Sequence, residues 1–283
     1  KKNSILRYDT GKRISYEESE ASIRCIYKLA NREIDEYLQI GDDDFSFSVT
    51  GLSRFRVSAY KQRGSLACVI RVVPFGIPDY RKLNIPEGVM DIAKKTKGLV
   101  LVTGAAGSGK STTLACIIDR INNTRSGHII TLEDPIEYLH KNNKCIVSQR
   151  EIELDTRSYI SALRASLRQS PDVILLGEMR DYETIKTAMT AAETGHLVIS
   201  TLHTVGTANT IDRIIDVFPP NQQQQIRVQL AMLLQCVISQ QLIPCVDDSV
   251  MPAFEIMYAN SAVRNIIRDS KVHQLDTVIA TSA

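Results

Sequence analysis

Residues 99–113 read Leu-Val-Leu-Val-Thr-Gly-Ala-Ala-Gly-Ser-Gly-Lys-Ser-Thr-Thr, and this stretch decides the fold. Its first four residues, 99–102, form an apolar run typical of a strand, and residues 112–121 continue with helical character. Between them, residues 104–111 match the pattern G-x-x-x-x-G-K-[ST], so that a glycine-rich loop joins a strand to a helix. This order of elements predicts a phosphate-binding loop in an α/β domain.

The residue types in this loop suit nucleoside triphosphate binding. The glycines allow the backbone to curl so that successive N–H groups point inward at phosphate oxygens, and the following helix adds its positive N-terminal end. Lys110 supplies a charge to the β- and γ-phosphates, and the Ser111 hydroxyl suits Mg²⁺. A chance glycine turn is the alternative, but every fixed position of the pattern is present. We therefore predict nucleotide contacts from Gly104, Ala105, Ala106, Gly107, Ser108, Gly109, Lys110, Ser111 and Thr112.

Composition narrows the class of protein. At 283 residues, two domains are more plausible than one. The 34 basic and 32 acidic residues nearly balance, so net charge gives no support to a helicase-like function. The six cysteines contain no Cys-x-x-Cys pair, which favours buried thiols in a reducing compartment over a disulfide or zinc framework. No apolar run of membrane-spanning length and no signal peptide are evident, so we expect a cytoplasmic protein.

Residues 1–73 have the pattern of a small α+β domain. A short strand is predicted over 5–8, a capping box (Ser15 and Glu18) opens a helix that reaches Ile34, and three strands follow over 45–49, 54–60 and 66–73. Residues 74–80 contain two prolines and a glycine, which indicates a hinged linker. Residues 81–283 then form the nucleotide-binding domain.

Two arginines in the small domain allow two interpretations. Arg56 shares one face of its predicted strand with Arg54, and Arg71 interrupts the apolar run of the next strand. A solvated sheet face is the simple explanation. Alternatively, the sheet presents cations to a nucleotide at a subunit boundary, as arginine fingers do.

Carboxylates follow two predicted strands of the nucleotide-binding domain. The strand 129–132 leads into Glu133 and Glu137, and Pro135 ends that strand. The carboxyl ends of parallel strands are where ligands bind, so both glutamates are candidates for polarising water and for Mg²⁺ contacts, with a charged surface loop as the alternative. The strand 173–177 delivers Glu178, which fits the Walker-B acid near Mg²⁺.

Histidines flank the next predicted strand, 197–202. His196 and His203 are either structural or border the sheet edge that holds the phosphates, where they sense the γ-phosphate. A helix over 208–216 carries Arg213, and a glutamine-rich helix is predicted over 222–240, followed by short late strands and a helix near 262–269.

Four motifs together resemble the type II/IV secretion ATPase superfamily, and within it the retraction ATPases of type IV pili. They are the phosphate loop 104–111, the acidic segment 130–137 (Ile-Thr-Leu-Glu-Asp-Pro-Ile-Glu), the Walker-B segment 171–181 (Pro-Asp-Val-Ile-Leu-Leu-Gly-Glu-Met-Arg-Asp) and the His box 195–204 (Gly-His-Leu-Val-Ile-Ser-Thr-Leu-His-Thr). Residues 262–269 (Ala-Val-Arg-Asn-Ile-Ile-Arg-Asp) resemble the retraction family's A-I-R-N-L-I-R-E helix. The Cys-x-x-Cys zinc pair common in extension and secretion motors is absent. The family's usual Pro-Thr in the phosphate loop is Ala105-Ala106 here.

The resemblance implies a fold, roles and partners. The fold is a PAS-like N-terminal domain followed by a RecA-like ATPase domain, assembled as a homohexamer. Glu137 is the expected general base and Glu178 the Mg²⁺-associated acid. His196 and His203 are expected sensors of phosphate. The expected arginine fingers are Arg56, Arg71 and Arg213.

The implied activity is Mg²⁺-dependent ATP hydrolysis that drives pilin disassembly through an inner-membrane platform protein, from the cytoplasmic face of that membrane. We expect no direct nucleic-acid partner, and only peripheral contact with the membrane. Three alternatives stay open: an extension, secretion or DNA-uptake motor, a nucleic-acid translocase on the same core, and a regulatory subunit without turnover.

Overall fold

A computed structural model describes residues 14–73, 76–247 and 249–281. The chain divides into two compact units, residues 1–75 and 76–283. Ile77 and Tyr80, inside the predicted linker, pack against the core of the second unit. That part of the predicted linker therefore belongs to the second unit. The predicted strand over 5–8 lies outside the described residues.

The first unit combines two helices with an antiparallel sheet. The elements are α1 (Tyr16–Leu29), α2 (Asp35–Ile40), β1 (Asp42–Val49), β2 (Ser53–Gln62) and β3 (Ser65–Val73), with the strands in the order β1-β2-β3. The predicted capping box is confirmed, because Ser15 Oγ accepts from the Glu18 N–H at 3.2 Å and the Glu18 carboxylate accepts from the Ser15 N–H at 2.9 Å. The helix ends at Leu29, earlier than the predicted extension to Ile34.

The second unit is built on a mixed seven-stranded sheet. Its strands are β4 (Gly98–Thr103), β5 (Gly127–Glu133), β6 (Cys145–Glu151), β7 (Val173–Leu176), β8 (Leu197–Leu202), β9 (Leu234–Pro244) and β10 (Val250–Tyr258). Its α-helices are α3 (Glu87–Met90), α4 (Lys110–Thr124), α5 (Tyr159–Ser166), α6 (Tyr182–Glu193), α7 (Thr207–Asp216), α8 (Pro220–Leu233), α9 (Ser261–Arg268) and α10 (Leu275–Thr281). The strand order is β10-β9-β4-β8-β7-β5-β6, parallel throughout except for the antiparallel β9–β10 pair.

Two hydrophobic layers cover the two faces of this sheet. Along β4, Leu99 and Leu101 belong to one cluster, and Val100 and Val102 belong to the other. All four side chains are fully buried, because helices cover both faces of a parallel sheet and leave its central strands no solvent-facing side. The predicted α/β domain with a smaller α+β domain before it is confirmed. Among the described residues, no helix is both long enough and apolar enough to cross a membrane.

Two predictions about individual elements were wrong or incomplete. The helix predicted over 222–240 ends at Leu233, and Leu234 begins β9, which pairs with β4 and β10. Residues 234 and 236–239 are buried and include the β-branched Val237 and Ile238, and their backbone groups pair in the sheet, so tertiary pairing overrides the helical spacing. Strand β6 was not predicted at all, because this edge strand carries polar residues where a central strand carries an apolar run.

Candidate active site

The carboxyl ends of four neighbouring parallel strands meet at one edge of the sheet. In spatial order these strands are β4, β8, β7 and β5, and each is followed by a predicted site segment. A cavity of about 290 Å³ opens there. Predicted site residues that line it are Ala106, Gly107, Lys110, Ser111, Glu133, Glu137, Glu178 and His203.

The phosphate loop depends on glycine at its first position. Gly104 has φ of 141°, and a Cβ there would lie 2.2 Å from the carbonyl oxygen of Gln240 in β9. Gly107 and Gly109 also have positive φ, at 77° and 88°. These backbone conformations suit glycine because it lacks the Cβ that would clash.

Lys110 is buried at the start of α4. Its ammonium donates to the carbonyl oxygens of Gly104 at 2.8 Å and Ala105 at 2.9 Å. Burial lowers the pKa of Lys110, and the charges of Glu178 and Glu137 partly oppose this effect. The lysine is thus held against the loop with two carboxylates nearby.

Not every loop residue reaches this cavity. Ser108 is buried, and its N–H donates to the Ala105 carbonyl at 3.2 Å. Thr112 donates to or accepts from the Tyr138 hydroxyl at 2.8 Å. Gly109 and Thr112 instead line a second cavity of about 250 Å³ that adjoins the loop and is also bordered by Leu83, Ile85, Thr113, Gln240, Leu242, Val250 and Pro252.

Glu133 sits at the end of β5 in a desolvated position. Burial raises the pKa of its carboxyl to about 7, although hydrogen bonds oppose the shift. Thr131 Oγ1 donates to Glu133 Oε1 at 2.6 Å, and Gln149 Nε2 donates to the same oxygen at 3.2 Å. At neutral pH, this carboxyl is therefore about half protonated, whereas an ordinary glutamate is ionised.

Glu178 follows β7 and has two cationic or potentially cationic neighbours. Burial opposes its ionisation, but hydrogen bonding and charge from Arg180, with a further effect of His203, lower the pKa of Glu178 overall. Arg180 Nε donates to Glu178 Oε1, and His203 Nε2 lies 3.4 Å from that oxygen. Glu178 is consequently an ionised acid at neutral pH.

Sequence reasoning assigned no role to several residues that line the main cavity. Arg180 belongs to the Walker-B segment, and its position two residues after Glu178 is the sequence feature that could have identified it as a site residue. Tyr138, His140 and Tyr159 also border the cavity. Burial lowers the pKa of His140 to about 4, so this imidazole is neutral at physiological pH.

The prediction that both histidines border the phosphate edge is wrong for His196. It precedes β8, and its carbonyl accepts from the N–H of Gly98 at the first residue of β4. Its Nδ1 lies 2.9 Å from the Ala191 carbonyl oxygen. Because β8 spans about 20 Å, His196 lies at the opposite sheet edge from His203 within this chain.

The predicted arginine fingers do not line the main cavity. Arg213 is exposed on α7, and Arg56 and Arg71 belong to the first unit. Arg56 lies directly opposite Arg71 in the β2–β3 register, and neither forms an ion pair among the described residues. Like charges opposite each other are unfavourable in a sheet, so this pair of guanidinium groups is suited to an anion.

The residues present fit a Mg²⁺–nucleotide complex. Mg²⁺ usually takes one or two protein oxygens and fills its other positions with water and phosphate. Ser111 and Glu178 supply such oxygens at the main cavity. Across the described part of the chain, no cluster of three or more His, Cys, Asp or Glu side chains could hold a metal ion by itself.

Comparison with known proteins is consistent with this geometry. The chain is 47% identical over 260 residues to the type IV pilus retraction ATPase PilT of Pseudomonas aeruginosa, covering 90% of this chain and 75% of that protein. It is 48% identical over 269 residues to a twitching motility protein of Neisseria gonorrhoeae, covering 95% and 71%. A crystal structure of the pilus retraction motor PilT with bound ADP superposes with a TM-score of 0.88 at 48% identity, covering 93% of this chain and 77% of that one. The family described as type II/IV secretion system protein matches residues 42–275, and this chain belongs to that family.

Proposed function

We propose that this chain is the ATP-hydrolysing motor that retracts type IV pili and so supports twitching motility. One observation carries the proposal: part of the phosphate loop, including Lys110 and Ser111, lines a single cavity with the acids Glu137 and Glu178. The relatives named for pilus retraction and twitching motility supply the biological process.

The residues at the cavity divide the reaction between them. Lys110 and the N-terminal end of α4 are both positive, and they stabilise the negative charge of the triphosphate. Glu137 accepts a proton from the attacking water while the water oxygen bonds to the γ-phosphorus. The bond between the γ-phosphorus and the β–γ bridging oxygen then breaks, which releases ADP and phosphate. Bound Mg²⁺, held through Ser111 and Glu178, would neutralise phosphate charge.

The second cavity suits the nucleobase. It adjoins the same loop at Gly109 and Thr112, and its walls include the apolar side chains of Leu83, Ile85 and Leu242. A flat aromatic base favours such apolar surroundings, with a few polar groups to orient it. ATP would therefore extend from this cavity across the loop into the polar one.

Arginines complete the site from outside the main cavity. We assign Arg56 and Arg71 as fingers on the transition-state charge, because their unfavourable juxtaposition in β2–β3 is relieved by an anion. Arg213 is a third candidate on the exposed face of α7. Such residues would come from another domain or subunit of a homohexamer, so that ring movement and hydrolysis are coupled.

We place the hexamer in the cytoplasm, at the inner face of the membrane, where it would act on an inner-membrane pilus platform protein. A knockout strain tests the direction of the motor. Retraction predicts excess pili and lost twitching, whereas absence of pili would select an extension or secretion motor. Stimulation of hydrolysis by DNA would instead favour a nucleic-acid translocase.

Steady-state hydrolysis tests the assigned chemistry. We expect Glu137→Gln and Lys110→Ala each to lower kcat at least about 100-fold, as loss of a general base or phosphate contact does. Glu193→Gln, at an exposed carboxylate at the end of α6, serves as the matched control and should hydrolyse ATP at the parent rate. Near-normal turnover in Glu137→Gln would refute its role as base.

A further inference from the structure

The loop that carries Glu137 is attached to strand β6 by two side chains, those of Glu151 and Gln149. We propose that Gln149 is a positioning residue, which holds the backbone on the C-terminal side of Glu137 so that its carboxylate faces the reacting water. This inference rests on the proposed function, since it assumes that Glu137 is the base. Gln149 itself does not line the main cavity.

Three hydrogen bonds carry the proposal. Gln149 Oε1 accepts from the N–H of His140 at 2.8 Å. Gln149 Nε2 donates to the Tyr138 carbonyl oxygen at 2.9 Å and to Glu133 Oε1 at 3.2 Å. One carboxamide therefore fixes two backbone groups of the loop and also joins that loop to the end of β5.

The residue before Glu137 is held by the same strand. Glu151 is 5% exposed, and its Oε2 accepts from the N–H of Ile136 at 3.0 Å. The backbone on both sides of Glu137 is thus attached to β6, through Glu151 before it and Gln149 after it. Because the backbone is held on both sides of Glu137, the directions in which the Glu137 carboxylate can point are restricted.

The register explains why β6 can perform this role. In the parallel pairing with β5, Gln149 is paired with Thr131 and Glu151 with Glu133. Residues two apart share a face of a strand, so both β6 side chains project on the same side. Strand β6 is itself fixed by its backbone pairing with β5, whereas segment 134–140 lies between these two strands.

The chemistry at this position requires an amide. Only an amide both accepts from the His140 N–H and donates to the Tyr138 carbonyl and the Glu133 carboxylate. Leucine offers neither bond, and an ionised carboxylate offers no donor and repels Glu133. Displacing a catalytic group by about 1 Å can reduce the rate about 100-fold. We therefore expect loss of kcat rather than of ATP binding.

The experiment compares Q149L and Q149E with the matched control Ser148→Ala. Ser148 lies beside Gln149 on β6, and its hydroxyl instead contacts His128 Nε2 at 3.0 Å. For Q149L, we expect kcat to fall about 10- to 100-fold, with KM for MgATP within about 2-fold of the parent. Ser148→Ala should keep the parent kcat. An unchanged kcat in Q149L, or a rise in KM that accounts for the whole loss, overturns the proposal.

A pH profile of Q149E provides a second test, using a variant close in shape to the parent. At about pH 6, a proton shared between the introduced carboxyl and Glu133 restores the donor, and at about pH 8 both are ionised and repel each other. We expect the activity relative to the parent protein to fall across that range. A ratio that does not change with pH overturns the assigned role of the carboxamide.

A double variant shows whether Gln149 acts through Glu137. If it does, Q149L lowers the residual rate of E137Q by less than about 3-fold, because the group it positions is already inactive. A full additional loss in E137Q would overturn the positioning role. The two hypotheses fail separately: near-normal turnover in E137Q refutes the proposed base, whereas an inactive E137Q with a normal Q149L refutes only the inference.

Discussion

Replacing Gly104 with alanine tests the geometry of the phosphate loop most directly. The new Cβ would lie 2.2 Å from the Gln240 carbonyl oxygen and 2.7 Å from Ser108 Oγ, at φ of 141°. Backbone strain at such a φ costs about 1–3 kcal/mol, and overpacking adds about 1–3 kcal/mol. The sum, about 2–6 kcal/mol, predicts a Tm for the second unit lower by about 4–24 °C, since each kcal/mol shifts a unit of this size by about 2–4 °C.

Gly107→Ala is the matched control for this prediction. Gly107 also has positive φ, at 77°, but nothing lies within 4 Å of the position of an added Cβ. We therefore expect strain alone, about 1–2 kcal/mol, and a Tm lower by about 2–8 °C. Thermal unfolding without nucleotide compares the two variants. A drop in Gly104→Ala no larger than that in Gly107→Ala would refute the reasoning that close contact with β9 requires glycine at position 104.

Two further predictions follow from the charged groups. Because burial raises the pKa of Glu133 to about 7, the folded protein binds this proton more tightly than the unfolded chain does, and stability contributed by the protonated form is lost as pH rises through that value. Glu133→Gln should therefore raise Tm at about pH 8 and leave it nearly unchanged at about pH 5. An equal change of Tm at both pH values in thermal unfolding would contradict the raised pKa of Glu133. Arg180 lowers the pKa of Glu178, so Arg180→Ala should raise that pKa, which an NMR titration of the Glu178 carboxyl measures. An unchanged pKa of Glu178 in Arg180→Ala would exclude control of this carboxyl by Arg180.

Local sequence patterns predicted the parts of the site in which a functional residue directly follows a strand in the chain. The phosphate loop, Glu178 and the strand before His203 each combine an apolar strand with a characteristic residue at its end, and periodicity and motif spacing capture that combination. Such patterns do not include pairing between distant segments. For this reason, the helix predicted to Gln240 ended at Leu233, and the edge strand β6 was missed.

The sequence by itself determined that a phosphate loop opens a helix after a buried strand, and that glutamates follow two further strands. Only the tertiary structure decided which of these residues share a cavity. Parallel strand order brings Lys110, Glu137, Glu178 and His203 to one edge and leaves His196 at the other. It also places Gln149 against the loop of Glu137. The physical reason is that side-chain direction and strand neighbours are set by register across the sheet, which joins residues far apart in the chain.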